Sequence, residues 1–380
     1  LAEKLGFSRA EGGRAYDIGI EQYRRFLAAY RELGQQVLHE VQENPDRVYV
    51  VLCGRPYNAF TRDANMGIPR KFTSQGVTVI PFDMIYDPHA EIPPNNYWYY
   101  GQQNMKAVRQ VGAIDNLYLC WISNFSCAPD SFLLHYVRWL MGHKPYLVLE
   151  IDSHTADAGL DTRVEAFLDI VESYRRHMRP VAVKPFQRRY RIVLKEEFCD
   201  VVDRKTGTKL DIRDKRVHLI WPSMGDLSTE AMSAATLREG IHSTHLPLPD
   251  VYSTQLARNV ASGKECIPAL LVLGSLLQFF RDKNPRSGAE LYLVILPSTL
   301  GPCRTGQYHV FFDRLFEDMG WENVVLLVAN SESSYRELGP TFSRDVWRGL
   351  VLGDYFTDIR NSLRLLARDP GDALALFASV

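Results

Sequence analysis

Apolar residues at Ile20, Tyr23, Phe26, Leu27, Tyr30, Leu33, Val37 and Leu38 recur at helical spacing, which predicts one long helix over Tyr16 to Val41. Asn44-Pro45-Asp46 is a turn signal, and Val48 to Cys53 then runs apolar without a break up to Gly54-Arg55-Pro56. A strand covered on both faces, as in a parallel sheet, needs such an unalternating run. Runs of the same kind at Val77 to Phe82, Asn116 to Ile122 and Pro145 to Glu150, separated by stretches able to hold helices, predict a βαβ series. A helix is expected from about Thr162 to His177, then a hairpin from Arg188 to Leu194 and Phe198 to Val202, with a turn at Lys205-Thr206-Gly207.

Beyond that hairpin the pattern restarts. Val217 to Trp221, Leu291 to Leu296 and Val324 to Val328 read as buried strands, with a short strand near Ile241 to Leu246. Helices are expected over Ser228 to Glu239, Pro268 to Arg281 and Val346 to Leu366, the last broken near Gly353. The expected fold is therefore α/β: two three-layer αβα domains with mainly parallel sheets, flavodoxin-like, with a cleft between them. The expected boundaries are 1–180 for the first domain, 181–215 for a hairpin and linker region, and 216–380 for the second.

The chain has 380 residues, 46% of them hydrophobic, which is enough for about two cores. Lys plus Arg number 44 against 45 Asp plus Glu, with no long block of either sign, so no nucleic-acid partner is expected. The longest apolar stretch, Ile267 to Phe280, carries Gly, Ser and Gln and is shorter than the roughly 20 residues of a bilayer span, so no membrane partner is expected either. The chain starts Leu-Ala-Glu-Lys-Leu-Gly, without a signal-peptide pattern or an initiator Met. It is read as a piece of a longer polypeptide. Six cysteines in this length are too few for a disulfide scaffold, and a reducing cytoplasmic setting is the expectation.

Those cysteines fall into two groups. In parallel sheets ligands gather beyond the carboxyl ends of the strands. Cys127 follows one expected strand and Cys303 another, while Cys266 precedes a long apolar helix whose amino end favours a thiolate. Gly or Pro flanks each of the three, permitting close backbone approach to a bulky group. Thiolates converging from separate loops are what an iron–sulfur cluster needs. Cys53 ends a strand and either approaches the same crevice or closes the core. Cys120 and Cys199 read as core. Arg55, Lys264 and Arg304, with Arg163, are candidates to offset thiolate or phosphate charge. Glu150 and His154, in Glu150-Ile-Asp152-Ser-His154-Thr-Ala-Asp157, either serve acid-base work or only cap a connection. His242 and His245 have metal-like spacing, but Pro247 and Pro249 make the segment extended, with residues three apart facing opposite sides.

The strings Cys53-Gly-Arg-Pro-Tyr-Asn58, Glu150 to Gly159 with Thr162 to Phe167, Gly263-Lys-Glu-Cys266 and Gly301-Pro-Cys-Arg-Thr-Gly-Gln-Tyr308 resemble the carboxyl-terminal region of acyl-CoA dehydratase activase-related proteins. That region is similar to 2-hydroxyglutaryl-CoA dehydratase subunits and double-cubane cluster proteins. The resemblance implies an iron–sulfur cluster, [4Fe-4S] or larger, held by Cys127, Cys266 and Cys303, with Cys53 as a possible fourth ligand. It also implies low-potential electrons from an ATP-dependent activase module, on the same or a separate chain, and a small substrate such as an acyl-CoA. The activase's own nucleotide site and a Gly-x-x-x-x-Gly-Lys-Ser/Thr loop are absent from the 380 residues. The competing expectation is a cofactor-free domain that binds a CoA ester or helps assemble a larger protein.

Overall fold

Uninterrupted apolar runs leave a strand no polar face to show to water, so each must lie inside a sheet flanked by helices. The computed structural model meets this demand twice. It describes residues 1–124, 127–177, 189–283, 285–286, 290–298, 301, 303–329 and 335–379. The chain divides into two compact units, Leu1–Val183 and Lys184–Val380. Residues 178–188, on which the expected first boundary falls, lie outside the described residues.

In the first unit, β1 (Tyr49–Gly54), β2 (Thr78–Pro81), β3 (Leu117–Asn124) and β4 (Tyr146–Ile151) form one parallel sheet in the order β2-β1-β3-β4. All six residues of β1 are buried. One face, through Val50, Leu52 and Ile122, packs with Phe72 of helix Ile68–Ser74 and with Leu160 and Phe167 of helix Asp157–His177. Helix Tyr99–Ala113 also packs against β1 and β3 and buries Met105 and Val108. The first long helix runs over Arg9–Glu43, opened by a capping box in which Ser8 and Glu11 exchange hydrogen bonds. Its apolar positions read from sequence are less buried than the pattern implies: Tyr23 and Phe26 are exposed, and Gly34 and Val41 are its buried residues.

The second unit opens with β5 (Tyr190–Leu194), β6 (Cys199–Asp203) and β7 (Lys209–Asp211), an antiparallel sheet in chain order. The expected hairpin thus has a third strand, and the turn at Gly207, whose φ is +73°, joins β6 to β7. Then β8 (Val217–Trp221), β9 (Ser243–His245), β10 (Leu291–Pro297) and β11 (Val324–Ala329) form a parallel sheet ordered β11-β10-β8-β9. Counted within each unit, both parallel sheets read 2-1-3-4. Cys199, Val201 and Ile212 share a buried cluster with Leu219, Leu293 and Leu327, so the small sheet belongs to this core.

The final long helix differs from its expected form. Phe342–Leu366 is continuous, with no break at Gly353. A Cβ on Gly353 would lie 3.0 Å from backbone atoms of Ser228, so this glycine serves close packing on helix Asp226–Arg238. Among the described residues no helix is long and apolar enough to cross a membrane.

Candidate functional site

With the order 2-1-3-4, the chain leaves the first and third strands toward opposite faces, opening a crevice at their carboxyl ends. In the first unit that crevice holds a pocket of about 240 Å³ bordered by Arg55, Trp98, Asn104, Trp121 and Asp130. The Asn104 side chain accepts from the Gly54 N–H at 2.8 Å and donates to the Gly54 carbonyl at 3.0 Å, fixing the turn after β1. Gly54 has φ +140°, and a Cβ there would meet the Ile122 carbonyl at 2.4 Å. Ser123 donates to the buried Asp130 carboxylate at 2.6 Å, and Arg55 faces the same carboxylate at 3.8 Å while donating to the Tyr57 hydroxyl. The buried indole N–H of Trp121 finds no acceptor among the described residues.

Cys127 lies beside this crevice, half-buried. Phe125 and Ser126 before it lie outside the described residues. Burial and the Asp130 carboxylate push its thiol up to about 11, against the weaker pulls of the Asp130 N–H and Arg55. The positive charge read from Arg55 is therefore divided between the sulfur and a carboxylate that the sequence reading passed over.

In the second unit, two of the expected thiols lie near one side chain, Tyr308. Cys266 immediately precedes helix Ile267–Phe280, and its sulfur lies 2.9 Å from the hydroxyl of Tyr308, 42 residues away in sequence. Glu265 shapes the approach to it: Ser262 donates to this buried carboxylate through N–H and hydroxyl, both at 2.9 Å, and the Gly263 N–H donates at 3.0 Å. Cys303 is exposed, 3.2 Å from the Thr305 hydroxyl. Hydrogen bonds from Thr305, more than the Arg304 charge, hold the Cys303 thiol below its ordinary value. Burial first, then the hydrogen bond to Cys266 and the charges of Cys266 and Cys303, drive the Tyr308 phenol far above its usual range. The phenol therefore keeps its proton and can donate it to sulfur. Leu300 and Pro302 in the Cys303 loop lie outside the described residues.

A pocket of about 480 Å³ opens beside these thiols. Pro268, two residues after Cys266, borders it, as do Thr305 and Tyr308; Trp221, Val272 and Leu350 are among its apolar walls. Neither Tyr308, Thr305 nor Glu265 was singled out from sequence. Each acts through a side-chain contact that no local spacing reveals, although Ser262-Gly-Lys-Glu265 does carry the acceptor three residues after a Ser that marks such loops.

The remaining sequence candidates sit apart. Cys53 lies inside β1 and Cys120 inside β3, both fully buried, with thiols driven up by desolvation; Cys199 is buried in β6 and pushed up to about 12. Glu150 lies near the end of β4. His154 is exposed in a turn closed by Asp152, which accepts from the His154 N–H at 2.9 Å and the Thr155 hydroxyl at 3.0 Å. Lys264 and Arg304 are part-exposed neighbours of Cys266 and Cys303, and Arg163 donates to the Val148 carbonyl at 2.8 Å. Among the described residues no three His, Cys, Asp or Glu side chains lie close enough together to hold a metal ion.

Residues 1–85 match the model of the CoA enzyme activase uncharacterised domain (DUF2229), so this amino-terminal part of the chain is similar to an activase-related domain. No curated protein gives a match. Among solved structures, the C-terminal domain of glucosamine-fructose-6-phosphate aminotransferase from Francisella tularensis aligns over 84% of this chain and 87% of that one, at 9% identity and a TM-score of 0.16. A likeness that faint carries no argument about fold or function.

Proposed function

We propose that the chain is the thiol-bearing redox component of a CoA-ester system, receiving low-potential electrons from an ATP-dependent activase and acting on an acyl-CoA or similar small substrate. The observation that carries this reading is the pairing of Cys266 and Cys303 around Tyr308 beside a pocket at the carboxyl ends of parallel strands. The activase-related match of residues 1–85 supplies the CoA setting.

Loop-borne thiols are the donors that an iron–sulfur cluster takes. Both thiols sit on loops, one exposed and one half-buried, whereas Cys53, Cys120 and Cys199 are sealed in cores. Cys266 and Cys303, both in the second unit, would hold the iron. Such a cluster supplies one-electron reduction. This chain's own residues do the rest: Tyr308 offers a proton toward sulfur, Glu265 fixes the Cys266 loop, and Thr305 favours the Cys303 thiolate.

The test is anaerobic purification and reconstitution, followed by iron and sulfide analysis per chain and the visible absorbance. Cys303→Ala should lose iron while Cys120→Ala keeps it. A parent protein that stays colourless and iron-free after reconstitution, or a Cys303→Ala protein that loads like the parent, overturns the reading in favour of a cofactor-free binding domain.

A further inference from the structure

Among the described residues, no side chain that borders the pocket beside Cys266 and Cys303 is charged. Trp221 and Met232 come from β8 and the helix after it, Val272 from the helix that Cys266 precedes, Ile295 from β10, and Phe342 and Leu350 from the final long helix. Its hydroxyls, from Thr305, Tyr308, Tyr335 and Ser343, are neutral, and the first two touch the thiols. At about 480 Å³ it falls within the range, roughly 300–1,000 Å³, that encloses small organic ligands.

The wall is held in place by close packing. Gly349 and Gly353 bring the final helix against Ala231 and Ser228, and Arg360 pairs with Asp226 at the start of the facing helix. A wall built this way is preformed, so a ligand spends little of its binding free energy on ordering it.

We infer that this pocket takes the uncharged hydrocarbon tail of the substrate, with the thioester end toward Cys266 and Cys303, and that it rejects tails ending in a carboxylate. The inference rests on the function proposed above for the identity of the reacting end, but not for the pocket's preference. A carboxylate buried here would find no cationic side chain among the described residues that border the pocket and would lose its water without replacement. A methylene buried here gains about fourfold in affinity from ordinary transfer free energy.

The test uses the full 380-residue chain prepared without iron and titrated calorimetrically with three N-acetylcysteamine thioesters: acetyl, hexanoyl and adipoyl, the last matching hexanoyl in length but ending in a carboxylate. With four more methylenes at about fourfold each, hexanoyl should bind on the order of 250-fold more tightly than acetyl when fully buried and at least about tenfold more tightly than adipoyl. Val272→Trp, which fills the pocket, should abolish the hexanoyl advantage, whereas Val351→Trp, on the exposed side of the final helix, should leave it unchanged. Should Val272→Trp fail to fold by circular dichroism, Leu350→Ala decides instead, by weakening hexanoyl several-fold with little effect on acetyl. Equal binding of adipoyl and hexanoyl, no heat from hexanoyl at millimolar concentration, or a preference that survives both pocket variants overturns the inference. Iron analysis of the same preparation after reconstitution reports on the cluster separately, so an iron-free protein that still prefers hexanoyl refutes the redox reading and leaves the pocket standing.

Discussion

Gly274 is the point at which the helix carrying Cys266 is held to its neighbour, and alanine there should cost stability although alanine is the better helix former. A Cβ on Gly274 would lie 2.0 Å from the Ser253 carbonyl oxygen and 2.5 Å from its carbon. Carbon and carbonyl oxygen rest at about 3.3–3.6 Å even in favourable contacts, so helices Val251–Val260 and Ile267–Phe280 must separate by more than about 1 Å. Overpacking of this kind costs about 1–3 kcal/mol, and the backbone atoms involved have no rotamer with which to yield. Helix propensity returns at most about 1 kcal/mol. The clash wins, and Gly274→Ala should lose about 2 kcal/mol, or several degrees in thermal midpoint for a unit of this size. Gly19→Ala is the control, because nothing lies within 4 Å of its added Cβ and only the propensity gain remains. Urea melts of the parent and both variants measure this, with alkylation of Cys266 as a second readout, since the shifted helix should part its sulfur from Tyr308. A Gly274→Ala protein as stable as Gly19→Ala would show that the two helices are not in the contact described.

Two further outcomes follow from groups around the thiols. Thr305→Ala removes the hydrogen bonds that lower the Cys303 thiol, so the pH midpoint for its alkylation by iodoacetamide should rise and its rate at neutral pH should fall a few-fold, while Cys120 stays inert in both folded proteins; an unchanged rate contradicts the role given to Thr305. Burial depresses the imidazole of His309, the neighbour of Tyr308, to about 4. The unfolded chain, with a histidine near 6.5, then binds the extra proton between about pH 6.5 and 4. Stability present above about pH 6.5 should therefore be lost as pH falls, by about 3 kcal/mol across the window, and His309→Gln should flatten that slope in acid melts.

The parallel sheets were legible because burial on both faces leaves its mark residue by residue: Val48 to Cys53 and Leu291 to Leu296 have no polar alternation, and each became a central strand. Loop thiols were legible for the same reason in reverse, since Cys127, Cys266 and Cys303 fall where such runs end or a helix begins. Gly353 was misread because a glycine in a helical pattern reports either a break or a close approach, and the distinction depends on Ser228, 125 positions earlier in the chain and invisible to any local window. Tyr308 was hidden likewise. It lies on the far side of a strand and a loop from Cys266, and only the fold carries it to the sulfur. The apolar stripe of the first helix was read correctly as helical, but periodicity describes which residues share a face and not what covers that face.

Two sheets of one topology have been given opposite chemistry by the loops at their carboxyl ends. In the first unit the crevice gathers charge: Arg55 faces Asp130, and the carboxylate lifts the Cys127 thiol to about 11. In the second, hydrogen bonds from Thr305 and, more weakly, the charge of Arg304 hold Cys303 below its ordinary value. Cys303 is therefore held nearer to a thiolate than Cys127, whose surroundings favour its proton. A bound cation reverses that order of forces, because its charge outweighs a neighbouring carboxylate and deprotonates a thiol outright. The carboxylate of Asp130, already tied to Ser123 and facing Arg55, then remains as a fixed partner rather than a competing proton acceptor.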